Sequence, residues 1–491
     1  MGDFAHPSPL RGGARGGGLP DRDGPEVHVP QPARPIEPPA PNLSPQGEGQ
    51  LQVVTFGCRL NAAESDQIRA QALTDGVTHA TVFNTCAVTG EAVRQAKQAI
   101  RKTAREQPGV KLIVTGCAAQ IDPAGFAELP GVDLVLGNAE KTAPGALLKR
   151  GVRVGDIFTR LPTPLRGGAG GGGLPTERSA AERDPHPARR LARPRHPPLK
   201  GEGRPRAYVE IQNGCDHRCT FCVIPFGRGN SRSVPARRVV DEIRRLALAG
   251  VAEIVLTGVD LTSWGADLAG RPALGDLVRR ILAEAPELPR LRLSSLDAAE
   301  IDAELMACFA TEPRLAPHLH LSLQSGDDLI LKRMKRRHSS DDALALIEAV
   351  RATRPDTAFG ADVIAGFPTE SEAAFENTLA FVDRARLAYL HVFPFSPRPQ
   401  TPAARMPQTP REVVKTRAAR LRDAGAAALA RHLDGQVGQR IEGLVECAGR
   451  ARAANYTEIA FAGARPVGQL AWFEIVGHDG RCAQARLVKA A

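Results

Sequence analysis

The stretch of sequence that decides the fold runs from Asn213 to Pro225 and reads "NGCDHRCTFCVIP". Its three cysteines, Cys215, Cys219 and Cys222, have the spacing CxxxCxxC. A structural zinc site closed by one chain needs four ligands. Three thiolates can instead bind three irons of a 4Fe-4S cube and leave the fourth iron open for a substrate or cofactor. His217 would complete a Cys3His zinc site on the same loop; otherwise we expect it to be a solvated loop residue.

The sequence that follows predicts six βα units in series. Apolar strand-like runs alternate with amphipathic stretches of helical periodicity. The runs cover residues 207–212, 252–258, 290–295, 318–324, 359–366 and 389–395. Six such units favour a barrel or partial barrel, in which chemistry is done at the carboxyl ends of the strands. The cysteine triplet follows the first of these strands.

A second cysteine triplet lies in the N-terminal half. Four apolar runs alternate with amphipathic stretches between residues 52 and 158, which indicates a parallel sheet covered by helices. Cys58, Cys86 and Cys117 follow the first three runs, 28 and 31 residues apart. Strand ends of open α/β sheets gather ligands, so the pattern predicts a shared metal site that suits an iron–sulfur cluster with an exchangeable ligand. The alternative is three small buried hydrophobic residues.

Composition narrows the class of protein. The chain has 491 residues, a net charge of +10 and nine cysteines. No apolar run reaches the roughly 18 residues of a membrane span, and the first residues lack the apolar segment of a secretory signal. We therefore expect a reducing compartment, the cytoplasm. The charge suits a nucleic-acid partner, although residues 164–206 alone carry ten Lys/Arg against four Asp/Glu.

A low-complexity unit occurs twice in the chain. Pro9–Pro20 reads "PLRGGARGGGLP" and Pro164–Pro175 reads "PLRGGAGGGGLP". Both units have too few apolar residues to offset the entropy of ordering. We interpret them as solvated insertions, with an RNA-binding arm as the alternative. The predicted domains are residues 1–50, disordered; 51–159, the N-terminal domain; 160–205, a disordered linker; 206–433, the barrel; and 434–491, a small C-terminal domain.

The C-terminal residues predict a small antiparallel β-barrel of four strands. Tyr456 and Trp472 could offer stacking faces to RNA bases or lie in the core. Two basic stretches, 332–338 ("KRMKRRH") and 395–433, could contact phosphates. The predicted strands are "RIEGLVE", "YTEIAFA", "LAWFEIVG" and "QARLVKA". The remaining cysteines show no partner pattern, and we interpret them as ordinary thiols: Cys308, Cys447 and Cys482.

The two triplets together resemble the radical S-adenosylmethionine methylthiotransferase family, over residues 52–158 and 206–491. In that family Cys58, Cys86 and Cys117 would hold an auxiliary 4Fe-4S cluster. Cys215, Cys219 and Cys222 would be the catalytic ligands of the radical-generating cluster, and the C-terminal barrel would be an RNA-binding TRAM domain. The motifs that carry the resemblance are "FGCRLN", "NTCAVT", "TGCAAQ", "GCDHRCTFCVIPFGRG", "LSSLD", "LSLQSGDDLILKRMKRRH", "DVIAGFPTES" and "VFPFSPRPQTPAARM".

The resemblance also implies a reaction. One S-adenosylmethionine donates a methyl group to sulfur at the auxiliary cluster, and a second supplies a 5′-deoxyadenosyl radical that removes the hydrogen from carbon 2 of a purine. The motifs "NTCAVTGEAVRQAKQAIRK", "VTGCAAQIDP" and "LGNAEK" look most like the branch that acts on threonylcarbamoyladenosine in tRNA. The other branches act on isopentenyl-adenosine in tRNA and on a ribosomal-protein aspartate.

The family resemblance implies a tRNA partner, a reductant such as flavodoxin or ferredoxin, and a monomer. Isopentenyl-adenosine is the alternative substrate, and a zinc-stabilised RNA-binding protein is the alternative from another class.

Several polar residues near the ends of later strands are candidates for binding S-adenosylmethionine. Each could instead be a helix cap or a turn residue. Asp362 would take a ribose hydroxyl, and "GFP" at 366–368 would shape a turn that lets the backbone approach the ligand. The candidates are Ser294, Ser295, Gln324, Ser325 and Asp362.

Overall fold

The computed structural model describes residues 51–158 and 205–488, and both low-complexity units lie outside these ranges. Among the described helices, none has the length and apolar character needed to span a membrane. The chain has an α/β fold that consists of a parallel-sheet region, a partial barrel and a small closed β-barrel.

The N-terminal region is a five-stranded parallel sheet whose strands follow one another in chain order. Two apolar clusters cover its two faces. Consecutive residues of a strand, such as Val82 and Phe83, point to opposite faces and belong to different clusters. A fifth strand that the sequence did not predict is short and exposed. The strands are β1 (Gln52–Thr55), β2 (Ala80–Thr85), β3 (Lys111–Gly116), β4 (Val132–Leu136) and β5 (Gly151–Arg153). The helices are α1 (Arg59–Thr74), α2 (Gly90–Glu106), α3 (Cys117–Ile121) and α4 (Pro123–Ala127).

The central region confirms the predicted partial barrel. Its six long strands form two parallel three-stranded sheets, and isolated parallel bridges, Leu291 to Leu315 and Leu296 to Leu321, join them. The strands are β6 (Arg206–Glu210), a small hairpin of β7 (Gln212–Asn213) and β8 (Arg232–Ser233), then β9 (Glu253–Thr257), β10 (Arg290–Leu293), β11 (His318–Gln324), β12 (Ala358–Ala365) and β13 (Tyr389–Pro394). The helices are α5 (Ile224–Arg228), α6 (Ala236–Leu248), α7 (Leu274–Glu284), α8 (Ala303–Thr311), α9 (Asp328–Met334), α10 (Ser340–Thr353) and α11 (Glu372–Arg384).

Alternation along the barrel strands separates an apolar face from a polar one. In β11, Leu319 and Leu321 are fully buried in the core that the strands share with the surrounding helices. Successive side chains of a strand point to opposite faces, so His318 and His320 point to the barrel interior. The interior of the barrel is therefore lined with polar groups.

The long helix α12 (Arg411–Asp434) leads into a closed five-stranded barrel. The sequence predicted four antiparallel strands, and the structure corrects this in two respects. It adds β15, whose "RARA" sequence has no apolar run to reveal it, and it pairs β16 with β18 in parallel. The strands are β14 (Arg440–Cys447), β15 (Arg450–Ala453), β16 (Glu458–Phe461), β17 (Leu470–His478) and β18 (Ala483–Leu487).

Candidate active site

The loops that carry Cys58 and Cys86 are joined through Asn61. The Asn61 side-chain amide donates to the carbonyl of Phe56 at 2.7 Å and to that of Thr85 at 3.1 Å. One residue at the start of α1 thus binds the backbone just before Cys58 and just before Cys86. Gly57 has φ +92°, and a Cβ there would lie 2.7 Å from Cys86 Sγ, so only glycine allows this approach.

Thr85 joins the second loop to the third. Its hydroxyl donates to the carbonyl of Thr115 at 2.6 Å and accepts from the Ala119 amide at 3.2 Å. Cys117 is the first residue of α3 and is buried beside these groups. The three carboxyl strand ends are therefore tied together by buried side chains, which is the convergence that the sequence predicted.

The first cysteine trio has the chemistry of a metal-binding site. Cys86 and Cys117 are buried, whereas Cys58 is exposed, so the site is open on one side. Burial, together with the neighbouring Cys58 and Cys117, raises the pKa of the Cys86 thiol to about 12. A metal ion that binds a thiol takes the place of its proton. The donor set fits an iron–sulfur cluster held by three thiolates.

The second cysteine trio lies on a loop that is fixed from both sides. The Cys215 amide donates to the Gly229 carbonyl at 3.0 Å, and the Cys222 amide donates to the Cys219 carbonyl at 3.1 Å. Arg336 reaches Cys219 Sγ at 3.7 Å while donating to the Asp297 carboxylate at 2.9 Å. All three thiols are partly buried, and three thiolates beside a cation suit a cluster with one open iron.

His217 differs from the expected solvated loop residue. Its Nε2 lies 2.8 Å from Asp260 and 3.6 Å from Glu300, and its side chain is 23% exposed. The hydrogen bond to Asp260, helped by Glu300, raises the pKa of His217 to about 10. Cys215, His217 and Asp260 place their ligating atoms within 4.8 Å of one another. These three side chains could also ligate zinc, and metal analysis of the purified protein would distinguish zinc from iron.

Arg228 connects the two trios. It lies six residues after Cys222, and its Nε donates to Cys117 Sγ at 3.0 Å. Its two Nη atoms donate to Glu64 at 2.8 and 2.9 Å, and Nη2 also donates to Asn61 at 2.6 Å. The Arg228 side chain is 2% exposed. A buried guanidinium from the segment after the second trio therefore contacts Cys117 of the first trio.

A buried charge network surrounds this contact. Lys141 lies 2.6 Å from Glu64, and both side chains are buried. Burial alone would raise the pKa of Glu64, but Arg228 and Lys141 hold it well below its usual range. Arg228 lies in the motif "GCDHRCTFCVIPFGRG" and Asn61 in "FGCRLN", and the sequence pattern predicts no role for either. The chain shows no local signal for the contacts of Arg228 with Cys117 and Asn61, which are more than 100 residues away.

The proposed S-adenosylmethionine contacts are placed in different surroundings. Ser294 directly follows β10, is buried, and its hydroxyl has no hydrogen-bond partner among the described residues. Ser295 is half-buried beside it. Gln324 ends β11 with φ +76°. Ser325 is engaged within the protein, since its hydroxyl contacts that of Thr378 at 3.2 Å and accepts from the Asp327 amide.

Asp362 does not lie at a strand end. It sits inside β12, and its carboxylate contacts His320 Nε2 at 2.9 Å and His391 Nδ1 at 3.3 Å. These partners come from β11 and β13, so the three polar residues stand on neighbouring strands in the barrel interior. The histidines hold the pKa of Asp362 below its usual range, although burial opposes them.

The glycine of "GFP" serves packing. Gly366 has φ +74°, and a Cβ there would lie 2.6 Å from Val414 Cγ2. The close approach on the Cβ side is to helix α12, and the approach of the backbone to a ligand stays a prediction.

Five of the thirteen Lys and Arg side chains in the two basic stretches pair with carboxylates within the protein. Arg336 and Arg337 pair with Asp297, and Arg337 also pairs with Glu300. In α12, three more arginines pair with acidic residues of α11 and the loop before it: Arg417, Arg420 and Arg431. Lys415, Arg411 and Arg422 of α12 stay exposed. The number of side chains available to phosphates is therefore smaller than the composition suggested.

The two candidate stacking residues and two of the three other cysteines lie in the C-terminal barrel. Trp472 is 49% exposed on β17. Tyr456 is half-buried in a turn with φ +74° and stacks on His318, with ring centroids 4.6 Å apart. Cys447 is exposed and Cys482 is buried, as is Cys308 in the central region.

Two family models match the chain. The radical SAM superfamily matches residues 209–382, and the uncharacterized protein family UPF0004 matches residues 50–137. Threonylcarbamoyladenosine tRNA methylthiotransferase MtaB of Rickettsia prowazekii is 43% identical over 89% of this chain and 97% of its own. The tRNA-2-methylthio-N(6)-dimethylallyladenosine synthase of Erythrobacter litoralis is 35% identical over 89% of this chain and 94% of its own.

Among solved structures, the radical S-adenosylmethionine methyltransferase TsrM from Kitasatospora setae is similar at 15% identity and a TM-score of 0.45, with 69% of this chain and 68% of that chain covered.

Proposed function

The chain belongs to the radical S-adenosylmethionine tRNA methylthiotransferase family, and from this premise we propose that it transfers a methylthio group to carbon 2 of threonylcarbamoyladenosine at position 37 of tRNA. As a family member it is an enzyme that methylthiolates tRNA with a 4Fe-4S cluster and S-adenosylmethionine. The proposal adds the substrate nucleoside, a second 4Fe-4S cluster and the use of two S-adenosylmethionine molecules per turnover.

One observation supports the two-cluster part of the proposal above all others. Arg228 follows the cysteine loop of the barrel, yet its guanidinium lies 3.0 Å from Cys117 Sγ of the other trio. A transfer that begins at one cluster and ends on a carbon activated at the other requires both in one cavity. Cys58, Cys86 and Cys117 would hold the auxiliary cluster, and Cys215, Cys219 and Cys222 the radical-generating one.

The residues around the trios would bind the cofactors, hold the cysteine loops in place and exclude water. When bound, the clusters and S-adenosylmethionine would supply the methylthio sulfur and the carbon radical. Asn61 and Thr85 fix the three N-terminal loops relative to one another. Val223 and Phe226 pack against the apolar cluster that contains Cys117, which closes that side of the cavity to water. Ser294, Ser295 and Gln324 remain the proposed S-adenosylmethionine contacts, and Asp362 and Ser325 are proposed with them in spite of their internal partners.

The substrate proposal is supported by the relatives. The named threonylcarbamoyladenosine enzyme is 43% identical and the named dimethylallyladenosine enzyme 35% identical, each over most of its length. Isopentenyl-adenosine is therefore the second candidate. The proposal includes the domain bounds 51–159, 206–433 and 434–491, an RNA-binding role for the TRAM-like C-terminal barrel, a flavodoxin or ferredoxin as reductant, a monomeric state and a cytoplasmic setting.

Mass spectrometry of tRNA nucleosides tests the substrate. Cells that lack this protein should lose 2-methylthio-threonylcarbamoyladenosine and accumulate threonylcarbamoyladenosine. Expression of the wild-type chain should restore the methylthiolated nucleoside. Loss of methylthiolated isopentenyl-adenosine instead would replace the proposed substrate with the second candidate.

The Cys219→Ala substitution tests the radical site. The variant should lose turnover entirely, because the barrel cluster would lack one of its three ligands, while the rest of the chain folds. We expect about eight irons per wild-type chain after anaerobic reconstitution and about four in the variant. Retained methylthiolation in the variant would contradict the radical assignment. Stoichiometric zinc without iron would favour the zinc-stabilised binding protein.

A further inference from the structure

Three regions of the chain meet at the side chain of Tyr456. Tyr456 belongs to the C-terminal barrel, and its ring stacks on His318 of the partial barrel. Three guanidinium groups surround the ring, those of Arg59, Arg292 and Arg452, at 4.7 to 5.4 Å from its centroid. Arg59 Nη2 also donates to the Tyr456 hydroxyl at 2.8 Å. Arg59 is the residue after Cys58, so this junction adjoins the N-terminal thiol trio.

Two of the three guanidinium groups have internal counter-charges. Arg292 donates to both oxygens of the Glu253 carboxylate. Arg452 donates to both oxygens of Glu446. Arg59 pairs with no carboxylate in the part of the chain that the structure describes, and its side chain donates a hydrogen bond to the Tyr456 hydroxyl. Arg59 is half-buried, and a partly desolvated cation without a counter-charge favours an anionic ligand.

His318 offers a second, independent sign of a ligand. Its side chain is 1% exposed, and neither ring nitrogen has a hydrogen-bond partner among the described residues. Buried polar groups are normally satisfied. Burial, with the positive charges of Arg292, His320 and Arg59 nearby, lowers the pKa of His318 well below its usual range. A neutral His318 keeps one N–H group to donate, next to the ring that Arg59 contacts.

We propose that Arg59, with the Tyr456 hydroxyl and His318, binds the carboxylate of the threonylcarbamoyl group on the substrate adenosine. This inference rests on the proposed substrate. Only one ring nitrogen separates carbon 2 of adenine from carbon 6, whose amino group carries the substituent. A carbon 2 presented to the sulfur at the N-terminal trio therefore brings the substituent close to the residue that follows Cys58. The guanidinium fork of Arg59 matches a carboxylate in a bidentate arrangement, and an isopentenyl group offers it no partner.

Binding of anticodon stem-loop RNAs to the reconstituted holoenzyme tests this role. One RNA carries threonylcarbamoyladenosine and another carries its carboxyl methyl ester, which removes the charge and keeps the shape. The wild-type protein should bind the acid roughly 10- to 100-fold more tightly than the ester, since charge-assisted hydrogen bonds would be lost. Arg59→Gln should bind both RNAs with equal affinity, and Tyr456→Phe should show a reduced preference. Arg59→Lys should keep part of the preference, because the charge remains and the fork is lost.

The Arg69→Gln variant is the matched control, since Arg69 lies on the same helix and pairs with Asp66 at the surface. It should keep the full preference for the acid. Iron content and the visible absorption spectrum of Arg59→Gln should equal those of the wild type, which separates a binding defect from a damaged cluster. If Arg59→Gln loses iron, the preference of Arg59→Lys and Tyr456→Phe for the acid over the ester decides whether this site binds the carboxylate.

Two outcomes distinguish the inference from the function on which it rests. An undiminished preference for the acid in Arg59→Gln would overturn the role of Arg59 and leave the proposed substrate intact. A wild-type protein that binds acid and ester equally, and binds isopentenyl-adenosine RNA more tightly than either, would overturn both.

Discussion

At the residue scale, Arg228 is the side chain on which the arrangement of thiols depends most directly. Its three nitrogens donate to a cysteine sulfur, a carboxylate and an amide oxygen of the N-terminal region, and one of them also donates to Asn213 of the barrel. An N–H group that donates to a cluster sulfur stabilises the reduced, more negative state of the cluster. Arg228 would therefore position the proposed N-terminal cluster and stabilise its reduced state.

Replacement of Arg228 by Gln should lower the reduction potential of the N-terminal cluster. The charge beside Cys117 is lost, so the added electron is less well stabilised. The potential is measured by a redox titration followed by electron paramagnetic resonance, in a Cys215→Ala, Cys219→Ala, Cys222→Ala background that removes the other cluster.

The control for this prediction addresses stability. Removal of one partner of a buried ion pair typically costs about 3–5 kcal/mol, because Glu64 would keep only Lys141. Arg228→Lys keeps a positive charge beside Glu64 and should regain part of that loss. A potential that is unchanged in Arg228→Gln would rule out the electrostatic effect.

At the element scale, Glu253 at the start of β9 joins three strands of the barrel. Its carboxylate lies 2.9 Å from Arg206 of β6, 3.0 Å from Arg292 and 3.3 Å from Arg290 of β10. Arg292 continues to the carbonyls of Ala453 and Ala454, next to β15. Burial would raise the pKa of Glu253, but these arginines, Arg292 foremost, lower it to about 2.

The low pKa of Glu253 predicts how stability changes with pH. A carboxyl group with a lowered folded-state pKa stabilises the protein above its unfolded value of 4.5, and this contribution is lost as the pH falls towards 2. Glu253→Gln should lower the free energy of unfolding near neutral pH by about 3 kcal/mol and flatten its acid dependence. Urea unfolding between about pH 6 and pH 3 measures both effects.

Glu242→Gln is the matched control for Glu253, since Glu242 pairs with Arg245 on the exposed face of α6. Exposed ion pairs contribute about 0–1 kcal/mol, so this variant should unfold like the wild type. An acid profile of Glu253→Gln that matches the wild type would contradict the stabilising role.

The strands that could be predicted from the sequence differ from the others in the burial of their side chains. The run "HLHLSLQ" of β11 and the all-buried β2 were predictable, because a period of two or a continuous apolar run reflects burial directly. The strands β5 and β15 were missed, since three or four residues with exposed or basic side chains carry no such period. Asp362 was assigned to a strand end because strand boundaries within an apolar run have no local marker.

At the scale of the whole molecule, deletion of residues 166–203 tests whether the second low-complexity unit has a role. We expect methylthiolation to remain nearly intact, because the thiol trios and their connections lie within residues 51–158 and 205–488. Nucleoside mass spectrometry of complemented cells measures the activity. A large loss with iron content preserved would support an RNA-binding role for the unit.

The two cysteine trios of the candidate site could be found from the sequence, whereas the residues that support them could not. Six cysteines in two triplets of regular spacing indicate chemistry without any knowledge of contacts. Arg228 and Arg59 owe their roles to partners more than 100 residues away. No local pattern marks such residues, because an arginine at a glycine-rich turn or beside a cysteine has the same sequence whether it is solvated or buried.

The ion pair between Arg228 and Glu64 also limits how the protein can be taken apart. A fragment that ends at residue 158 would leave Glu64 with Lys141 alone and would expose the apolar face on which Phe226 packs. A fragment that begins at residue 205 would lose Glu64 as the partner of Arg228 and would expose the surface that packs on the N-terminal region. Neither half should fold as an independent unit. An experiment on one proposed cluster therefore needs the whole polypeptide, with the cysteines of the other cluster substituted.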